Sequence, residues 1–346
     1  MRSILAGVTA LVGGALLVAG CSSSGSSSSA ASGSSGAAAA PVTVRLGYLA
    51  NITHAPALIA VKDGYFTKDL GSAGTLKTTV FSSGTEETTA ILADQIDAAY
   101  VGPNPAINAF QKSGAIKVIS GVATGGASIV VKPTITSASQ LKGESLATPS
   151  LGNTQDVAVR YWLKQQGLTT STTGGGDVSI KPTTPNSSAV LEYKSGQIAG
   201  ASEPSPYDVE IVQDGGKVLL SEPGVSTVLM VTTSFLNAHP AIVADLLKAN
   251  LQAINYIKSD PTAAAAAANA QLGAYTGKPL KSSVLTPAFK EITFTADPDE
   301  ASFTQDAQQA SSVGLLSSTN LSGIFDLTPL NSILTADGDP TISAGS

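Results

Sequence analysis

The stretch "SSGTEETTAILADQIDAAYVGPNPAINAFQKSG", residues 82–114, decides the fold. Ser83 and Glu86 stand at the capping-box spacing that opens a helix, and the helix runs toward Gln95. "IDAAYVG" (96–102) is a short apolar run between turn residues, the pattern of a buried strand. "NPAINAFQKSG" (104–114) reads as a second helix, with Gly114 just past its end. Helices and strands joined by links of a few residues predict a parallel sheet covered by helices.

The same alternation extends outward in both directions. Val42–Tyr48 and Leu76–Phe81 read as strands, and 55–63 reads as a helix stopped by Gly64. "IKVISGVA" (116–123) is the next strand. The order then restarts with strand candidates at 127–133, 144–150, 177–185, 198–204 and 217–223. Helices at 154–167, 186–196 and 206–216 separate most of them. After "TVLMVTTS" (227–234) the chain turns helical, with a long amphipathic helix at 240–259 and an alanine-rich one between Pro261 and Gly273. Two more helical stretches lie near 282–291 and 299–312. Trp162, in the middle of a helix, reads as core.

The N-terminus has a different character. Arg2 precedes an apolar, small-residue run from Ile4 to Gly20, the pattern of a secretory signal. The sole cysteine, Cys21, follows "LVAG", and residues 22–40 are almost wholly Ser, Gly and Ala. Such a segment cannot bury enough apolar surface to offset its chain entropy and reads as a tether. Roughly 300 residues follow it, enough for two cores.

The net charge of −6 argues against nucleic acid as a partner. No second long apolar run suggests a further membrane span. With only His54 and His239, and Cys21 at the head of the tether, a His/Cys metal cluster is excluded and Ser–His–Asp or Cys–His catalysis has little to work with. No metal, no cofactor and no catalytic residue is expected.

Together these features resemble the nitrate/sulfonate/taurine group of solute-binding lipoproteins that feed ABC importers. "LVAGC" resembles a lipobox, which implies acylation of Cys21 and anchoring to the outer face of the cytoplasmic membrane or the periplasmic side. "VRLGYLANITHAPALIAVKDGYF" resembles the family's opening strand, loop and helix, and the quoted stretch 82–114 its second block. "LKGESLATPSLGNTQDVAVRYWLKQQGL" and "SGQIAGASEPSPYDVEIVQDGGKVL" resemble the blocks of the second lobe. One departure is that Ser202 stands before Glu203, where members often place a Trp.

The resemblance implies a two-lobed type II periplasmic-binding-protein-like α/β fold. Its sheets would be mostly parallel and flanked by helices, with a ligand cleft between the lobes. The expected organisation is signal peptide 1–20, tether 21–40, lobe one from 42–126 and 226–346, and lobe two from 127–225. Partners would be a small solute and an ABC permease with its ATPase, and the receptor would act as a monomer.

Ligands of open α/β sheets bind beyond the carboxyl ends of strands, where helix starts present free amide groups. The candidates are therefore Asn51, Thr53 and His54 after the first strand, and Ser82, Ser83, Gly84 and Thr85 after the second. Gly102, Pro103 and Asn104 follow the third, Ser150, Gly152, Asn153 and Thr154 open the second lobe's main helix, and Glu203 ends a later strand. Several of these also serve as caps or turn residues. None of the candidate loops carries Arg or Lys, so an anion would be held by amides and hydroxyls, which suits a sulfonate or nitrate better than a phosphate. If Glu203 faced the cleft it would suit an amine or ring N–H on the solute. A thiamine-precursor pyrimidine or another heterocycle is the alternative solute, and ligand sensing the alternative role. The same fold also hosts cytoplasmic enzymes, one of which needs a cofactor lysine and donor histidines in its site; an export signal and only two histidines count against that reading.

Overall fold

A computed structural model describes residues 40–343. The expected signal peptide, Cys21 and the tether lie outside the described residues. The elements in chain order are β1 Val42–Leu49, α1 Ala55–Lys62, α2 Tyr65–Leu70, β2 Gly74–Phe81, α3 Gly84–Leu92, β3 Ala98–Val101, α4 Pro103–Ser113 and β4 Ile116–Gly125. Next come β5 Ala127–Val131, β6 Ser145–Thr148, α5 Thr154–Gln165, β7 Ser179–Pro182, α6 Ser187–Lys194, β8 Gly200–Pro204, α7 Tyr207–Gln213 and β9 Lys217–Ser221. The chain ends with β10 Val225–Thr232, α8 Thr233–Ala238, α9 Pro240–Ser259, α10 Pro261–Thr276, α11 Ser282–Lys290, β11 Ile292–Phe294, α12 Glu300–Ser312 and α13 Thr328–Asp337.

Two sheets result. The first has the order β11-β4-β10-β3-β1-β2 and the second β7-β6-β8-β5-β9. The expected predominance of parallel pairing is corrected. β1 pairs parallel with β2 and β3, and β6 with β7 and β8, while the remaining pairs of both sheets are antiparallel. The reason lies in the two crossovers. β4 leaves the first sheet and enters the second as β5, and β9 returns as β10, with no helix between to reverse the chain. The returning strand must therefore run against its neighbours.

The crossovers lie side by side. Gly125 N–H donates to the Gly224 carbonyl at 2.8 Å, and Glu222 N–H to that of Ala127 at 2.9 Å. Gly125 and Gly126 have φ of +71° and +72°, the left-handed region where glycine carries no steric penalty. A Cβ on Gly126 would also fall 2.3 Å from Ile292. Further links run from Ile52 N–H to the Ser205 carbonyl and from Ser205 N–H to Gly126.

The first sheet's core is built by period-2 alternation, with Val44, Leu46 and Tyr48 of β1 buried against α1, α9 and α10. Gly273 does not end the alanine helix. α10 continues to Thr276, and Gly273 lets Pro279 lie against it, where a Cβ would meet the proline nitrogen at 2.7 Å. α2, α8, β11 and α13 were not legible in the sequence pattern, being short or lacking a strong apolar face.

The loop ahead of α5 is held by one carboxylate. Asp156 accepts from Thr148 Oγ1 at 3.1 Å, Gly152 N–H at 2.9 Å and Arg160 Nε at 3.0 Å. Both members of this ion pair are essentially inaccessible to solvent. Asp156→Ala strands a buried guanidinium and is expected to cost about 3–5 kcal/mol of unfolding free energy, read from the urea midpoint. A loss below about 1 kcal/mol would show that the pair does not hold this loop.

Candidate functional site

Five helices begin around one small cavity. Its lining includes Asn51, Ser83, Gly102, Asn153 and Asn186. Each is an N-cap: Asn51 of a short 3-10 turn at Ile52–His54, the others of α3, α4, α5 and α6. The first amide groups of an α-helix have no partner within it, so the starts of α3 and α5 bring a partial positive potential to the cavity, while α4 offers only the Asn104 amide between two prolines and the Ile52 N–H of the 3-10 turn is taken by Ser205. Ser83 Oγ and Asn153 Oδ1 each accept one amide, from Glu86 and Asp156. The amides of Gly84, Thr154 and Gln155, also lining residues, precede those capped positions.

The cavity measures about 30 Å³, space for about two water molecules. Its remaining walls, Leu49, Pro105, Pro149 and Pro204, are apolar, and no charged residue lines it. Close approach of the helix starts requires Gly102, where a Cβ would sit 2.6 Å from Thr154 Oγ1. The rim is shut by Thr85 Oγ1, 2.9 Å from Ser150 Oγ, and by Asn108 Nδ2 donating to the Gly152 carbonyl at 3.3 Å. Thr154 Oγ1 and Asn186 Oδ1 are buried without a partner.

His54 is locked in place. Nε2 lies 3.0 Å from the Tyr100 carbonyl and must donate to it, which leaves Nδ1 unprotonated, 3.1 Å from Thr53 Oγ1. Burial lowers its pKa to about 3, so the ring is a neutral wall. The single Thr53 hydroxyl proton is given to Asn51 Oδ1 at 2.9 Å, which orients Asn51.

Of the residues expected from sequence, Asn51, His54, Ser83, Gly84, Gly102, Asn153 and Thr154 line the cavity. Thr85, Ser150 and Gly152 form the rim instead, and Ser82, Thr53, Pro103 and Asn104 support the loops. Asn104 is buried and turned to α12, its Nδ2 donating to the Asp306 carbonyl at 3.4 Å. Glu203 does not line the cavity. On β8 it pairs with Ser128 and so shares that residue's face, the side of Asp208 and α7, while the alternate face carries Ser202, whose Oγ lies near the Gln155 carbonyl. Burial and the neighbouring Asp208 and Glu222 push the Glu203 carboxyl well above the usual range, and neither oxygen has a partner. Asn186, Gln155 and the three prolines were missed. Asn186 at the head of a helix pattern was the available signal.

A second pocket of about 560 Å³ adjoins the cavity and shares Thr154 and Gln155 with it. Trp162 packs against the core of the second sheet and also lines this pocket, which corrects its assignment to the core alone.

Two mixed sheets joined by paired crossovers, with helix starts gathered between them, define a periplasmic-binding-protein-like α/β fold. The chain belongs to the NMT1-like family, whose model matches residues 37–272. Solved structures of the same fold include the periplasmic nitrate-binding protein NrtA from Synechocystis PCC 6803, with TM-score 0.74 and 16% identity over 88% of this chain and 93% of that one. The alkanesulfonate-binding protein SsuA from Xanthomonas axonopodis pv. citri, bound to MOPS, gives 0.70 and 16% over 84% and 99%. The Candida albicans CA3427 gene product, described as having the generic periplasmic binding protein structural fold, gives 0.61 and 12% over 88% and 98%. No curated protein sequence matches the chain.

The neutrality of His54 sets a pH dependence. Its folded pKa of about 3 lies below the ordinary 6.5, so its contribution is complete above pH 6.5 and is lost as pH falls toward 3. Between pH 7.5 and 5 the loss should be about 2 kcal/mol. Comparing unfolding free energies of the protein and His54→Gln at the two pH values isolates this loss, and identical pH slopes would show that His54 is not held neutral.

Proposed function

We propose that the protein is an extracytoplasmic receptor that binds a small oxyanion-bearing solute, an aliphatic sulfonate or a nitrate-like ion, and delivers it to an ABC importer. The observation that carries this reading is the uncharged cavity ringed by five helix N-caps. Oriented amides suit a weakly basic monoanion, because the field is positive but no guanidinium or ammonium is present to hold a multiply charged group. The sulfonate and nitrate receptors of the same fold support the choice. His54 is fixed by its Nε2 bond to the Tyr100 carbonyl and stays neutral, which supports binding without catalysis. The lobes in this reading are the two sheets with their helices, divided at the crossovers near 126 and 225, and release follows from bending there. The anchor is a lipid on Cys21.

A panel of nitrate, short alkanesulfonates, taurine, sulfate, bicarbonate and the thiamine-precursor pyrimidine tests the solute by thermal unfolding. At about 100 times Kd a ligand adds about 2.7 kcal/mol, several degrees for a chain of this size. Nitrate or a sulfonate is expected to raise the midpoint. Asn186→Ala should weaken that ligand roughly tenfold with little effect on the free protein, since this side chain makes no cap bond. A rise with the pyrimidine alone would replace the oxyanion by a heterocycle.

The anchor is tested separately. Cys21→Ala is expected to abolish radiolabelled palmitate incorporation and release the protein from the membrane fraction. Retention of the label would place acylation elsewhere.

A further inference from the structure

The pocket beside the cavity has the opposite electrostatic character. Its volume of about 560 Å³ falls within the range of small-molecule sites. It opens between α5, α12 and the second crossover, with Trp162 and Tyr161 on one side and Glu222, Asp299 and Asp306 on the others. No Lys or Arg lines it.

Its unsatisfied groups are oxygens. Asp306 Oδ2 and Ser226 Oγ are buried and have no hydrogen-bond partner, and Ser226, a lining residue, is only 8% exposed. Asn104, which donates to the Asp306 carbonyl, also has a buried Oδ1 without a partner. Glu222 Oε1 accepts from Ser202 Oγ at 2.6 Å. Among the described residues no three His, Cys, Asp or Glu side chains are grouped to hold a metal ion. What the wall lacks is a donor-rich positive charge on an organic body.

We propose that this pocket binds an organic ammonium ion, its charge against Asp306 and Glu222 and its apolar body against Trp162. The ammonium supplies the donors that the buried oxygens lack, and the indole face attracts a cation as well as apolar surface. This site goes beyond the solute reading, since it does not depend on what fills the cavity.

The groups around the carboxyls set how binding responds to pH. Burial pushes Glu222 up to about 8, reinforced by Asp208 of α7. Burial raises Asp306 well above its ordinary range, with further contributions from Glu222 and Asp299. Lys164 of α5 is turned to the Ser312 carbonyl at the end of α12. Raised carboxyls hold protons in the free protein, and an approaching ammonium favours the ionised form. Binding therefore releases protons and tightens as pH rises toward 8 and above.

Trp162 is the only tryptophan in the sequence and lines this pocket, so its emission responds to what fills it. The purified full-length protein is titrated with 2-phenylethylammonium, 2-phenylethanol and 3-phenylpropionate at pH 6 and pH 8. The ammonium compound is expected to change the emission saturably and to bind more tightly at pH 8. The alcohol should bind roughly tenfold more weakly, and the carboxylate should not bind. Asp306→Asn and Glu222→Gln, near-isosteric changes, should each weaken the ammonium roughly tenfold, with the thermal midpoint checking that they fold. Equal binding of alcohol and ammonium, unchanged binding by both folded variants, or no response to about 10 mM ammonium would overturn the inference. If both variants fail to fold, the alcohol–ammonium comparison on the unaltered protein decides alone. Thermal shifts with nitrate or sulfonates, measured separately, show whether the receptor reading stands or falls independently.

Discussion

Helix starts leave first amide groups that the helix itself cannot satisfy, and the chain gathers five such N-caps against one another. That constraint organises much of what surrounds them. The caps at Ser83 and Asn153 each satisfy one amide and leave the earlier ones, on residues that line the cavity, without a cap. Gly102 permits contact between the starts of α4 and α5. Asp156 reaches back from the first turn of α5 to fix the loop that carries Asn153. The paired crossovers place the two sheets so that starts from both converge.

Much of the fold was legible because periodicity and punctuation agreed. Ser83 and Glu86 mark the start of α3, and Gly114, in a left-handed conformation, ends α4. The antiparallel half of each sheet was not legible. A strand such as β5 has the same apolar run whether its neighbours lie parallel or antiparallel, and only the crossover path decides. Gly273 misled for a related reason. A glycine inside a helical pattern reads as a stop, yet here it makes room for Pro279.

The candidate site was legible where a residue caps a helix and obscure where strand phase matters. Ser83, Gly102, Asn153 and Thr154 were reached by asking which helices begin at strand ends. Glu203 was not resolved in that way, because a one-residue shift on β8 exchanges its face with that of Ser202. Buried carboxyls are the least legible feature. Glu87 lies fully buried between α3 and β1 with both oxygens unpartnered, and burial raises its pKa well above the usual range, yet its sequence context is that of an ordinary surface turn of a helix.

A cavity whose donors belong to the main chain has an evolutionary consequence. Substitution at a cap reshapes the wall, but short of proline it leaves the backbone donor in place. The positive field is therefore insulated from most single mutations, while Asn186 and the proline walls are free to vary the shape it acts through. Such a chain can drift far in sequence and change what it recognises without first losing the capacity to hold an anion.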